Sequence, residues 1–150
     1  MSEPIVFISR NRVKESQLEE FKRHYRTGAE KLGREKPGTV AFLAYASDDG
    51  AEVSIFHVFP DAEAMDHHME GVAERSKEAF EFIESAGFEI YGAPSDDALQ
   101  MMKQIADSGL PVRIHPQLLG GISTLWLTSD SDSVSQPAGA TRGRRERPTR

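Results

Sequence analysis

The sequence predicts an α+β fold, a small sheet with helices packed on one face, from three observations. Strand-like and helix-like patterns follow in the order strand, helix, strand, strand, helix, strand. The strands are apolar on both sides, so both sheet faces expect cover. The joints carry turn and capping residues. This order is that of the split βαβ, or ferredoxin-like, sheet.

Ile5 to Val13 reads as the first strand, with Ile5 and Phe7 on one side and Val6 and Ile8 on the other. Ser16-Gln-Leu-Glu19 has the form of a capping box before a helix whose stripe is Leu18, Phe21, Tyr25, Ala29 and Leu32. Gly33 and Pro37-Gly38 stop it. Thr39 to Ala46 is the second strand, and Ser47-Asp-Asp-Gly50 turns the chain into the third, Val53 to Phe59. There Val53, Ile55, His57 and Phe59 share one side, and Ser54, Phe56 and Val58 the other. Pro60 breaks this strand, and Asp61 is placed to cap the free amides of a helix from about Ala62 to Glu84. Its buried stripe is Met65, Met69, Val72, Ser76, Phe80 and Ile83. Ser85-Ala-Gly ends it, Phe88 to Tyr91 is a short strand, and Ser95-Asp-Asp caps a third helix with Leu99, Met102 and Ile105 inward. Val112 to His115 and Leu119 to Leu127 are further strands. Residues 1–127 are thus expected to be one domain with an extra C-terminal helix and strand, and residues 128–150, almost without apolar side chains, a disordered tail.

The net charge of −6 is uneven: residues 128–150 carry +2 and the remainder −8. An acidic body argues against nucleic-acid binding by the folded part, since phosphate contacts supply most of that affinity. The Arg-rich end, Arg142 to Arg147, reads as solvated. With no cysteine there is no disulfide, thiolate nucleophile or thiolate zinc site. No long apolar run and no basic-then-apolar leader are present, so a cytoplasmic protein without membrane contact is expected. Asp66, His67 and His68 are metal-ligand types, but consecutive helical residues diverge and no His-x-x-x-His spacing exists, so no metal is expected. Two helices cannot cover both faces of the sheet. The simplest further cover is a second copy, giving a symmetric homodimer.

The chain resembles the dimeric α/β-barrel superfamily, and within it the antibiotic biosynthesis monooxygenase-like group. The resemblance rests on the early strand ending in Ser9-Arg-Asn-Arg12, on the helix followed by Pro37-Gly38-Thr39, on the hairpin, and on the Phe59-Pro-Asp-Ala-Glu-Ala-Met65 junction. It covers roughly residues 4–92. That group includes cofactor-free oxygenases of phenols and hydroquinones and haem-degrading enzymes. The haem-degrading branch is similar at Asn11, but the positions of its helix Trp and later His hold His68 and Glu78 here, and Trp126 stands elsewhere. The resemblance therefore implies a monooxygenase that needs no cofactor and acts on a phenolic or hydroquinone-type small aromatic molecule.

Such chemistry needs a base, a group that steadies an oxyanion, and a dry pocket. His57 and His68 are the candidate bases, and Asn11, Tyr45 or Arg10 the candidate oxyanion partners. Phe42, Phe59, Met65 and Met69, with Tyr45, are the candidate substrate-binding walls. His67, about 100° from His68 on a helix, falls on the solvent side. Each residue has a plainer reading beside this one: a packed histidine, a strand-end asparagine, methionines filling a core. A non-catalytic small-ligand-binding or structural dimeric α/β-barrel protein is therefore the alternative, and a lyase or isomerase on the same barrel a third. An enclosed cavity beside either histidine separates them.

Overall fold

The computed structural model describes residues 3–125. Nine elements follow in order: β1 (Ile5–Val13), α1 (Leu18–Glu35), β2 (Ala41–Ala46), β3 (Glu52–Phe59), α2 (Ala62–Met69), α3 (Val72–Ala79), β4 (Ile83–Tyr91), α4 (Asp96–Asp107) and β5 (Val112–His115). The sheet order is β2-β3-β1-β4-β5. Its first four strands are antiparallel, in the ferredoxin-like arrangement, and β5 adds parallel to β4. The residues up to Gly121 make one compact unit. In the short described segment beyond it, the Leu125 amide donates to the Ser123 hydroxyl.

Pairing register decides what each strand offers to each face. Phe7 stands opposite His57 and Ile90, and His57 opposite Phe42, so these side chains share the helix-covered face. Ile8 stands opposite Phe56 and Glu89, and Phe56 opposite Leu43, on the other face. A bulge interrupts the β1–β4 ladder: Arg10 pairs with Gly87 but Asn11 pairs with Ser85, leaving Ala86 as the extra residue. Gly87 tolerates this with φ +154, and a Cβ there would meet the Pro111 carbonyl at 3.0 Å.

The covered face holds a divided core. One buried cluster is Ile5, Phe7, Phe59, Met65, Ile90, Ala98 and Met102. The other is Phe21, Val53 and Ile83. The expected caps at Asp61 and Ser95 form: the Asp61 carboxylate accepts from the Ala64 amide at 2.8 Å, and the Ser95 hydroxyl accepts from Ala98 at 3.2 Å. Ser95 also donates to the Asp66 carboxylate at 2.7 Å, tying the start of α4 to α2.

Four expectations are corrected. The capping box is not made: Ser16 has φ +59, Gln17 takes the cap position, and α1 has no side-chain cap. Gly33 does not stop α1, which runs on to Glu35. The long helix from 62 to 84 is two helices and the start of a strand. Gly71, at φ +77, breaks it between α2 and α3. Ile83 pairs with Val13 and buries in the second core cluster, so a residue that fitted the helical stripe is recruited by strand pairing instead. Ser85, Ala86 and Gly87 thus lie inside β4 rather than ending a helix. Finally, the described part of the strand expected over 119–127 is irregular from Leu119 to Ser123, beside Gly120 and Gly121 at φ +152 and +145. Trp126, Leu127 and the tail from 128 to 150 lie outside the described residues.

Candidate active site

Between the two core clusters the covered face leaves a cavity of about 440 Å³. β1 contributes Phe7, Ser9 and Asn11, β2 Phe42, β3 Ile55 and His57, and α2 His68 and Met69. α1 closes one side with Phe21, Tyr25 and Leu32, and α4 the far end with Met101, Met102 and Ile105. Among the described residues no carboxylate lines it, whereas Arg75 and Lys77 do. The walls are overwhelmingly apolar, as for a small organic ligand.

His57 is buried, and its Nδ1 lies 3.0 Å from the Phe7 carbonyl oxygen. A carbonyl can only accept, so Nδ1 carries the proton and Nε2 keeps its lone pair. Phe7, Phe42 and Phe59 all lie against the ring, with centroids 4.9, 5.0 and 6.2 Å away. Burial pushes the pKa of His57 down to about 4, against the opposing pull of the Phe7 carbonyl. His68 stands 5.2 Å from His57, ring centroid to ring centroid and nearly perpendicular. Its Nδ1 is 2.8 Å from the Thr39 hydroxyl, a partner that can donate or accept. Burial, then the neighbouring His57 and Arg75, lowers its pKa to about 3. Both imidazoles are therefore neutral at pH 7.

Arg75 reaches back from α3 to the end of α2, donating to the carbonyls of His68 and, at 2.6 Å, Glu70. It satisfies carbonyls that a helix end leaves unpaired and fixes the turn that carries His68. Asn11 is 3% exposed and spends its amide group on the Ser9 hydroxyl and the Ser9 and Val53 carbonyls, at 3.0, 3.2 and 3.4 Å. The Tyr25 hydroxyl is buried without a hydrogen-bond partner among the described residues. Burial raises its pKa, so the phenol stays neutral.

Of the residues singled out in the sequence, the fold brings His57, His68, Asn11, Phe42 and Met69 to the cavity. Phe59 stacks on His57 and meets His68 edge-on from the core behind them, and Met65, fully buried in the same cluster, does not line the cavity. Tyr45 is misplaced by the sequence reading. It sits on the opposite sheet face, 60% exposed against Phe56, because it is one residue out of step with Phe42 and Ala44. Arg10 is on that face too, bound to Glu89 at 2.7 Å. The sequence reading did not single out Ser9, Thr39 or Arg75 for the site, and it took Tyr25 for core stripe. Tyr25's helical phase signalled burial but not a cavity beside it. Among the described residues no three His, Asp or Glu side chains converge to hold a metal. No described helix is long and apolar enough to cross a membrane.

A ferredoxin-like sheet with an apolar cavity under its helices defines the class as a small α+β protein. Residues 4–81 match the profile of the antibiotic biosynthesis monooxygenase family, and the chain belongs to that family. No curated protein matches the chain. Among solved structures, MupZ from Pseudomonas fluorescens is similar at 20% identity and TM-score 0.64, covering 82% of this chain and 98% of its own. That span necessarily runs past β4 into the C-terminal addition. SnoaB from Streptomyces nogalater, described as a cofactor-independent oxygenase, is similar at 18% identity and TM-score 0.52, covering 63% of this chain and 96% of its own. Rv0793 from Mycobacterium tuberculosis matches at 19% identity and TM-score 0.51, covering 63% and 97%. At these identities the likeness is one of fold.

Proposed function

We propose that this protein is a cofactor-independent monooxygenase that oxidises a phenolic or hydroquinone-type aromatic molecule with dioxygen in the cavity under the sheet. The observation that carries the reading is His57: neutral, with Nδ1–H committed to Phe7 and Nε2 left as an acceptor beside an apolar cavity. Family membership supports it, as does the description of SnoaB.

The substrate hydroxyl gives its proton to His57 Nε2. The ring is a weak base in the empty site. An anion formed beside it in dry surroundings pairs with the imidazolium and raises its pKa toward that of the substrate. The electron-rich anion passes an electron to dioxygen, and the resulting superoxide and substrate radical join through a new carbon–oxygen bond. The peroxide takes the proton back from His57. Its O–O bond then breaks as the same carbon loses its hydrogen. The substrate exchanges two hydrogens for one oxygen, and the second oxygen leaves as water carrying both hydrogens, so no external reductant is consumed. His68, in the tautomer whose Nε2 carries the proton, is the group that steadies the oxyanion, since the amide hydrogens of Asn11 are held by Ser9 and Val53.

The reading includes a homodimer in the cytoplasm. Leu43 and Tyr45, 48% and 60% exposed, form an apolar concavity with Phe56 and Val58 on the open face, and a second copy would cover it. A non-catalytic ligand-binding or structural role is the second reading, favoured by the protein partner that Nδ1 of each histidine already has.

Oxygen uptake by the purified protein, without added metal or flavin, tests this against a panel of hydroquinones and polycyclic phenols. Uptake is expected, falling by about 100-fold in His57→Gln. No uptake by folded protein, or undiminished uptake in His57→Gln, overturns it.

A further inference from the structure

His57 and His68 differ in how their second nitrogen is held. The Phe7 carbonyl leaves His57 one neutral tautomer, with Nε2 an acceptor. The Thr39 hydroxyl leaves His68 two: it accepts from Nδ1–H, or it turns and donates to a bare Nδ1. In the first case His68 Nε2 is an acceptor, and in the second it is a donor. The rings stand 5.2 Å apart, and both line the cavity. Neither has a carboxylate partner among the described residues; burial and then Arg75 disfavour the cation at His57, and burial, His57 and Arg75 disfavour it at His68.

We propose that the two imidazoles together recognise two neighbouring oxygens on one aromatic ligand, His57 as a fixed acceptor and His68 as acceptor or donor according to the Thr39 hydroxyl. A ligand with adjacent hydroxyls gives one proton to each Nε2. A ligand with a hydroxyl beside a carbonyl gives a proton to His57 and takes one from His68. Thr39 is a positioning residue, acting only through His68. The ligand class deepens the oxygenase reading and rests on it for the aromatic character of the substrate. The pairing itself does not require turnover.

Binding is measured under argon, so that no oxygenation occurs, with three probes: 2,3-dihydroxynaphthalene, 1-hydroxy-2-acetylnaphthalene and 2,7-dihydroxynaphthalene. The two adjacent-oxygen probes are expected to bind about tenfold tighter than the 2,7-isomer, the margin of one further buried hydrogen bond. In ¹⁵N spectra of histidine-labelled protein, His68 Nε2 is expected to be bare with the diol and protonated with the hydroxy-ketone, while His57 Nε2 is unprotonated in both. Thr39→Val, which keeps the side-chain shape, is expected to hold His68 in one tautomer with both probes. It should reduce the preference for the diol and leave the thermal midpoint within a few degrees. Equal binding of the isomers, or an unchanged His68 response in Thr39→Val, overturns the proposal. These outcomes are independent of oxygen uptake: adjacent-oxygen preference without uptake sinks the oxygenase reading alone, and uptake without the preference sinks this inference alone.

Discussion

The two faces of one sheet make the instructive comparison. Both are apolar, and along β3 they differ only by a shift of one residue: Ile55, His57 and Phe59 point to the helices, and Ser54, Phe56 and Val58 point away. Yet one face carries a cavity with two buried imidazoles, and the other an exposed concavity over β2 and β3, with the Arg10–Glu89 pair elsewhere on the same face. Apolar character states that a face needs cover. What the cover leaves unfilled decides whether chemistry can happen there.

The largest effect expected from breaking this asymmetry is Phe7→Ala. Phe7 packs against His57 and Phe88 in the main cluster, so its loss should cost about 3–5 kcal/mol of unfolding free energy in urea titrations.

Acid comes next. The pKa values of His57 and His68 fall from 6.5 in the unfolded chain to about 4 and about 3 in the fold. Between those values the unfolded state binds more protons. Stability is therefore full above pH 6.5 and is lost as pH falls toward 4 and below, by roughly 3 kcal/mol for complete protonation of His57. His57→Gln should flatten the decline between pH 6.5 and 4, measured as urea midpoints across that range. An identical decline in the variant would place the acid sensitivity elsewhere.

Asp61→Ala removes the cap where β3 hands over to α2 and should cost about 1 kcal/mol, whereas Ser16→Ala, at a cap that is not made, should cost a few tenths at most. Tyr25→Phe deletes a buried hydroxyl without a partner and should leave the protein as stable or up to about 1 kcal/mol more stable. On the open face, Leu43→Ala with Tyr45→Ala should change monomer stability least of all. It should instead shift sedimentation toward the monomer, and an unchanged sedimentation profile would remove this face as the contact between copies.

The same asymmetry explains what was legible in the sequence. Alternation fixed β1 and β3 nearly to the residue, and Asp61 and Ser95 announced their helices through local chemistry that needs no tertiary context. The end of the second helical segment was not legible, since Ile83 satisfies a helical stripe and a strand face equally and only Val13 decides between them. His57 and His68 were legible as polar groups on apolar faces. Thr39 was not, because its role exists only when the segment before β2 lies beside α2, 29 residues further on. Tyr45 was assigned to the pocket by residue type, where strand parity already placed it opposite Phe42 and Ala44.

The measurement that tests the central claim most directly is a titration of 2-naphthol under argon into ¹⁵N-labelled protein, read residue by residue. The account predicts saturable shifts at Phe7, Asn11, Phe42, His57 and His68, with Leu43, Tyr45 and Phe56 unmoved. Saturable shifts on the Leu43–Tyr45–Phe56 face, with His57 and His68 silent, would contradict it.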